Sequence, residues 1–480
     1  MTPIEAVEDI SRRANHWFDP NVVDALRELH GLKPLEVLNR PEVPRRVTTL
    51  RVLRSNPAFS SLFAAIAISS LGDPLTQVAA LVTIFLATHD ARFVALGFIA
   101  QALGTVLMRT VLGGVADKLP GRGVVVGLEF LRAGILVGTA FTVTSQHWWL
   151  IIPILFALAS INAVVQPARQ AAIPSLVPSG QVGKANAMVS VTTMLAGAIG
   201  FALAAGILAS VTQPAHLAPG TMSPAIQFLF LTDAVTFALA AAIVFGIPSL
   251  GGGAAAAPVT GALRRSWSVV RARPHLVVGT LAAFLIPISY PALLALAYQP
   301  SIVGAAARNG GQTYSTLELL LSVGIVVGSL AVSRFGAIGT MRTVGAGLLL
   351  TGVFSTAIAM TALSPLVSSP AAVPMSLMFV GLALFIASIG NPIYAVANTT
   401  AVLEAAEPSN RGILVATRFG LVQTASILGV GAGGLITNQY GPLAAYGVIG
   451  IGLVLLAMYA IAAGRSTTNP LHGAAYKASR

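Results

Sequence analysis

From residue 57 onward the chain alternates long apolar stretches with short polar turns. Each stretch is long enough, at ~20 residues, for a helix to cross a ~30 Å hydrocarbon core. Lipid offers no partner to an unpaired peptide group, so each stretch is predicted to be helical. Reading between charges and turn residues places twelve spans near 58–88, 93–116, 123–145, 148–166, 182–211, 225–247, 276–300, 313–333, 343–363, 371–397, 412–437 and 443–463. The first is longer than a bilayer needs and is expected to tilt or project beyond it. The predicted fold class is an all-α polytopic membrane protein with twelve transmembrane helices.

Composition agrees: 55% of residues are hydrophobic and only 9% charged, against ~25% charged in soluble domains, and mean hydropathy is +0.82. The net charge of +12 follows topology and does not point to nucleic acid. Lys118 and Arg122, Arg169 and Lys184, Arg264, Arg265, Arg271 and Arg273, Arg334 and Arg342, then Arg411 fall in alternate turns, with Arg92 and Arg308 as exceptions. Because cytoplasmic loops carry the Lys/Arg excess, both termini are expected inside a plasma or inner membrane. There are no cysteines, which excludes disulfides and thiolate metal sites. His89, His147, His216 and His275 sit in loops or at interfaces without ligand spacing, so no metal or other cofactor is expected. Trp148 and Trp149 read as an interfacial belt.

The expected domains are a cytoplasmic segment 1–56, a six-helix half 57–248, a linker 249–275, a second six-helix half 276–464 and a cytoplasmic tail 465–480. The linker passes from a Gly/Ala-rich stretch into ALRRSWSVVRAR, a short basic amphipathic helix suited to anionic headgroups. A weak internal repeat supports the two halves: ASINAVVQPAR at 159–169 has the counterpart ASIGNPIYAVA at 387–397. Within 1–56, HWFDPNVVDALREL weakly resembles the last helix of HD-GYP phosphodiesterases. It lacks their His-Asp dyad and Gly-Tyr-Pro motif, so the segment is read as a small helical cap.

The loop GGVADKLPGRG carries Gly113, Asp117, Lys118, Gly121 and Arg122 between the second and third spans. It resembles the signature loop of the major facilitator superfamily. From residue 57 the chain is similar to the bacterial exporter branch that includes enterobactin- and macrolide-efflux proteins, through Gly72-Asp73, Pro167 to Gln170, Pro174, Pro178, Asn186, Asp233 and Gly441-Pro442. The resemblance implies a major facilitator fold and proton-driven export. It also implies an inner gate in which the loop aspartate docks at the start of the eleventh helix. One departure stands out: the fifth span reads GAIGFALAAGI, with Phe201, Ala204 and Ala205 where the exporter pattern has proline and glycines.

A charge at mid-bilayer costs ~2.5–3.5 kcal/mol on insertion scales, so each one calls for a reason. Asp73 lies mid-span in GDP, where Pro74 frees a backbone carbonyl; a broken helix bearing a carboxylate is expected there, and Asp73 is the candidate for proton coupling. Arg109 and Glu129 lie at similar depth on neighbouring helices and are expected to pair. Arg132 shares a face with Glu129, and Arg411 and Arg418 are candidate gate partners of Asp117. The surplus arginine of this layer could also attract an anion. Asp233 and Glu318 are expected to snorkel outward. Asn162, Gln166, Tyr290 and Asn391, with Tyr298 and Gln299, are candidates to line a polar cavity.

The expected function is export of small amphipathic, drug- or siderophore-like compounds by alternating access with proton antiport. The expected partners are the substrate, protons and the bilayer, and the expected state is a monomer. Lipid or anionic-metabolite carriage is the alternative, and a polytopic enzyme or sensor a more distant one. No nucleotide-binding P-loop and no catalytic Ser/His/Asp set occurs in the sequence. The topology is testable with single cysteines. Asp90→Cys should label from outside intact cells and Lys118→Cys only after permeabilisation; the reverse would overturn the orientation.

Overall fold

The computed structural model describes residues 27, 30, 49–112, 121–210, 221–247, 274–335, 340–361, 373–404 and 411–466. Gly113, Asp117, Lys118, the basic helix expected in the linker and, Arg27 excepted, the phosphodiesterase-like segment lie outside them. Contacts divide the chain into two units, residues 1–55 and 56–480. Among the described residues, the second unit holds twelve helices long and apolar enough to cross a membrane. In order they are Pro57–Thr88, Ala91–Leu112, Gly121–Thr142, Ile151–Leu176, Val182–Ser210, Pro224–Phe245, an interrupted seventh, Gly310–Phe335, Met341–Met360, Val373–Glu404, Arg411–Tyr440 and Pro442–Ser466. The seventh runs Pro274–Leu285, tightens into a 3-10 turn at Ile286–Ile288 beside Pro287, and resumes over Ser289–Ala297. An even number of crossings puts Pro57 and Ser466 on one face, here called proximal; the turn at 89–90 lies on the distal face.

Local chemistry sets the boundaries. Proline opens the first, sixth, seventh and twelfth helices, where its missing N–H costs nothing and its φ is already helical. Thr340 caps the ninth by accepting from the Thr343 amide. His89 ends the first helix in the left-handed region, at φ 52°. Gly441, at φ +87°, is the only residue between the eleventh and twelfth helices and donates its N–H to Thr437. A side chain would strain that turn. Asp90 caps the second helix: its Oδ1 accepts from the Arg92 amide at 2.8 Å, and its carboxylate binds the Arg92 guanidinium.

Helices pack through small residues, since apolar burial gives little net drive between helices in lipid. A Cβ on Gly433 would meet the Ile288 carbonyl oxygen at 2.5 Å, so the eleventh helix rests directly on the seventh. Gly352 and Gly450 play the same role between the ninth and twelfth. In the degraded fifth-span motif, Gly200 packs on Leu71 and Pro74 of the first helix, and Ala204 is fully buried. Large apolar residues such as Met378, Leu428 and Phe141 face outward.

Several contacts draw the two halves together at the distal end. The Phe85 and Tyr298 rings are 5.0 Å apart, Gly311 packs near Leu208 and Val82, and Gly434 packs on Ala95. The fourth span is longer than expected: it continues past Pro167 to Leu176, so Arg169 belongs to the helix and not to a loop.

Gly433→Val should lower the thermal midpoint of the purified protein, by the ~1–3 kcal/mol typical of overpacking. Gly127→Ala, where nothing lies within 4 Å of the new Cβ, should not. Arg92 also holds the Asp90 carboxyl below the usual carboxylate range, chiefly through their side-chain hydrogen bond. Such a group stabilises the fold above its unfolded pKa, and the effect fades as pH falls through the lowered folded value. Asp90→Asn, which keeps the capping geometry, should therefore destabilise at pH 7 and less at pH 3. A pH-independent difference in melting temperature would contradict this. Asp90 is only 12% exposed at its side chain, so the neighbouring His89, which is exposed, is the better site for a labelling cysteine.

Candidate functional site

The first, third, fourth and sixth helices bring their charged residues to one place. Asp73 on the first helix pairs with Arg132 on the third, Oδ1 to Nη2, at 2.6 Å. Arg132 also lies 3.6 Å from Glu129 one turn earlier. Glu129 in turn lies 2.9 Å from Arg169 on the fourth helix, and Arg169 donates to the Ser69 hydroxyl on the first. The result is an alternating chain, Asp73–Arg132–Glu129–Arg169, closed back onto the helix where it began. Glu129, Arg132 and Arg169 are 0%, 4% and 1% exposed, whereas the Asp73 side chain is 40% exposed. Arg132 also lies over the Phe237 ring, 3.6 Å from its centroid, a favourable seat for a desolvated guanidinium.

Asp233, on the sixth helix, completes the cluster, and no ion pair to an arginine forms there among the described residues. Its Oδ2 accepts from Thr76 and its Oδ1 lies 2.9 Å from the Thr236 hydroxyl. The same hydroxyl is 2.8 Å from the Asp233 backbone carbonyl. Thr236 has one proton to give. It can donate to an ionised Oδ1, or donate to the carbonyl while accepting from a protonated carboxyl. Both states of Asp233 are thus hydrogen-bonded. Gly72 makes this packing possible, because a Cβ there would collide with the Asp233 carboxylate and Thr236.

A cavity of about 300 Å³ opens beside the cluster, lined among others by Asp73, Gln77, Gln101, Arg132, Asn162 and Asp233. Of the expected cavity residues, Asn162 is there. Gln166 and Asn391 are half-buried elsewhere, and Tyr290 stacks on Phe98 at 5.2 Å across the two halves.

Several expectations are corrected. Arg109 does not pair with Glu129: it is exposed and lies over Phe419, 5.5 Å from the ring centroid, while Arg169 takes that partnership. Asp233 does not snorkel, being fully buried. Glu318 turns to the buried Tyr314 hydroxyl, 2.9 Å away. The first helix runs unbroken through Pro74, and Asp73 answers Arg132 instead of freed backbone. Gly72 serves close approach to the sixth helix. Among the gate candidates, Arg122 donates to the Ile247 carbonyl and sits over Phe245, tying the third helix to the end of the sixth. Arg418 reaches Asn398 at 3.5 Å. Arg411 and Gly121 lie at helix starts. Sequence reasoning missed Arg169 and Asn398. The buried Asn398 donates to the His275 carbonyl and so joins the seventh, tenth and eleventh helices. For Arg169, the helical spacing continuing past Pro167 was the available signal.

No curated protein matches the sequence. Among solved structures, the chain is similar to a mutant of the nucleoside transporter NupG, with a TM-score of 0.62 and 13% identity over 84% of this chain and 98% of that one. It is also similar to the POT family transporter PepTSo (0.63, 12%, 86% and 98%). A third is a bacterial homologue of the iron transporter ferroportin in an inward-facing state (0.57, 16%, 84% and 98%). At such identities these likenesses speak for the fold alone. The family model described as Major Facilitator Superfamily matches residues 58–387. Taken with the twelve spans, this means that the chain is a multi-pass membrane transporter belonging to the Major Facilitator Superfamily.

Proposed function

We propose that the protein exports small amphipathic compounds by alternating access, driven by proton antiport, from a plasma or inner membrane with both termini cytoplasmic. The halves that rock are residues 57–248 and 276–464, joined by the linker 249–275, with 1–56 and 465–480 as cytoplasmic appendages. In that orientation the distal contacts close the outer side, so the conformation described is inward-facing. Asp117, with Arg411 or Arg418, acts as the inner lock of the resembling exporters, and Asn162 contributes to the substrate cavity.

The observation that carries the proposal is the charge of the buried cluster. Asp73, Glu129 and Asp233 face Arg132 and Arg169, three acids to two bases. The unmatched acid is a place for one proton. Glu129 and Arg169, both sealed in, form the static part. Asp73, which touches the cavity and is partly exposed, and Asp233, hydrogen-bonded in either protonation state, form the working part. A cationic or polar group reaching Asp73 competes with Arg132, and the released guanidinium favours ionisation of its neighbours. The anionic-metabolite alternative rested on an arginine surplus. With Asp73, Asp233 and Arg169 counted, arginines and acids of that layer come level, so the surplus that favoured this reading disappears.

Two experiments follow. A growth-protection screen in a strain lacking its own pumps supplies a substrate. Adding it to purified protein in weak buffer should release protons, reported by a pH dye. Asp73→Asn, nearly isosteric, should abolish proton-driven export and this release; unchanged release would leave Asp73 a structural partner of Arg132. Glu129→Gln strands Arg169 in a dry site, and removing one member of a buried pair typically costs ~3–5 kcal/mol. The double variant Glu129→Gln/Arg169→Gln should recover part of the lost thermal stability, because contacting residues are non-additive. Equal loss in single and double variants would rule out the static role.

A further inference from the structure

The eighth and tenth helices meet backbone to backbone at Gly324 and Gly328, where an added Cβ would strike the carbonyl oxygens of Phe385 and Ile389. Nearer their distal ends a groove of about 640 Å³ lies between them, with Leu320 on one wall and Leu377 and Leu382 on the other. Gly381 keeps the floor open, since the atom nearest an added Cβ there is the tip of Leu320, at 2.8 Å. Met378, on the same wall, and Leu382 are strongly exposed, so the groove opens sideways onto the lipid-facing surface. It shares no residue with the cavity beside Asp73.

The lining changes with depth. The eighth helix has 26 residues, and at ~1.5 Å per residue it exceeds the ~30 Å hydrocarbon core by ~9 Å. Shared between the two ends, this excess puts residues 310–312 in the ester and headgroup layer and Leu320 in hydrocarbon. The distal end of the groove is lined by Asn309, Gln312 and Thr316. The Thr316 hydroxyl donates to the Gln312 carbonyl at 3.0 Å, so the donors at this end are the two side-chain amides. The 3-10 stretch Gly304–Asn309 is held beside it by Thr313, whose hydroxyl donates to the Ala306 carbonyl at 3.1 Å. Among the described residues, no acid or base lines the groove.

A groove left empty in a bilayer forfeits the dispersion contacts of its walls, and an amide N–H at the edge of hydrocarbon needs an acceptor. A glycerolipid supplies both in the right order, with ester oxygens at the interface and a chain below. A helix of a second copy is too large: ~10 Å across and ~18 Å long, it would fill ~1,400 Å³, about twice the groove. We propose that the groove seats one acyl chain of a distal-leaflet glycerolipid, whose ester oxygens accept from the amides of Asn309 and Gln312. The chain and glycerol region are recognised, and the headgroup charge is not. This site goes beyond the export reading and does not depend on it.

The test uses the full-length protein in vesicles containing a small fraction of phosphatidylcholine with a diazirine midway along one acyl chain. After illumination, adducts are mapped by mass spectrometry. Adducts at Leu320, Met378 and Leu382 should exceed those at Phe130 and Phe141, which face lipid on the third helix, by about tenfold. Gly381→Leu fills the groove and should remove most of that excess, and Gln312→Leu should lower it several-fold. Gly134→Leu, exposed with nothing within 4 Å of an added Cβ, should leave it unchanged. A phosphatidylglycerol probe should label as the phosphatidylcholine one does. Even labelling of all lipid-facing helices would overturn the proposal, as would groove labelling that survives Gly381→Leu. Cross-linking of the groove to a second copy in place of lipid would overturn it too, and a strong preference for one headgroup would overturn the assignment to chain and glycerol. Should Gly381→Leu fail to fold, the wild-type labelling ratio and Gln312→Leu decide.

Discussion

Arg132 holds the first half together because it must satisfy two acids at once. Its guanidinium lies between Asp73 on the first helix and Glu129 on its own, over the Phe237 ring of the sixth. In a medium that cannot solvate a cation, each of those contacts is needed, so three helices are fixed around one side chain. The arrangement is not saturated. Arg132 Nε and both Glu129 oxygens lack well-aligned hydrogen bonds among the described residues. A partly satisfied buried network has more than one arrangement within reach, which suits a protein that must change state.

The two halves share a fold and differ in chemistry. In the register pairing ASINAVVQPAR with ASIGNPIYAVA, Ala397 stands where Arg169 does, followed by Asn398. The ion chain of the first half therefore has a neutral equivalent in the second. There Asn398 bridges the tenth helix to His275, and Arg418 approaches its amide oxygen. One half carries linked ion pairs, and in the other Glu318 is hydrogen-bonded to the Tyr314 hydroxyl. Evolution from a duplicated half would leave this kind of asymmetry when the copies specialise.

The spans were legible in the sequence because bilayer thickness and peptide hydrogen bonding leave few alternatives to long apolar helices. Asp73, Glu129 and Arg132 were legible as residues of consequence because charge is costly in lipid. Their partners were not. Arg109 and Arg169 look alike as bases near span ends, and only the rotation and length of the fourth helix decide which one meets Glu129. Asp233 was misread for the same reason: distance from a helix end says how deep a residue lies, not which way it faces. Nothing around Gly72 in the sequence shows its role either, which depends on the sixth helix lying against it.

Gly72 bears on how the whole molecule can move. With a bare backbone pressed on the Asp233 carboxylate, and Gly200 pressed on Leu71 and Pro74, the first helix has no clearance against the fifth or the sixth. Side chains can re-pair inside such a bundle, but the helices cannot slide past one another without steric collision. Shape change is thereby expelled from the interior of this half to its seam with the other, so a proton gained or lost among buried acids becomes a tilt of an undeformed block.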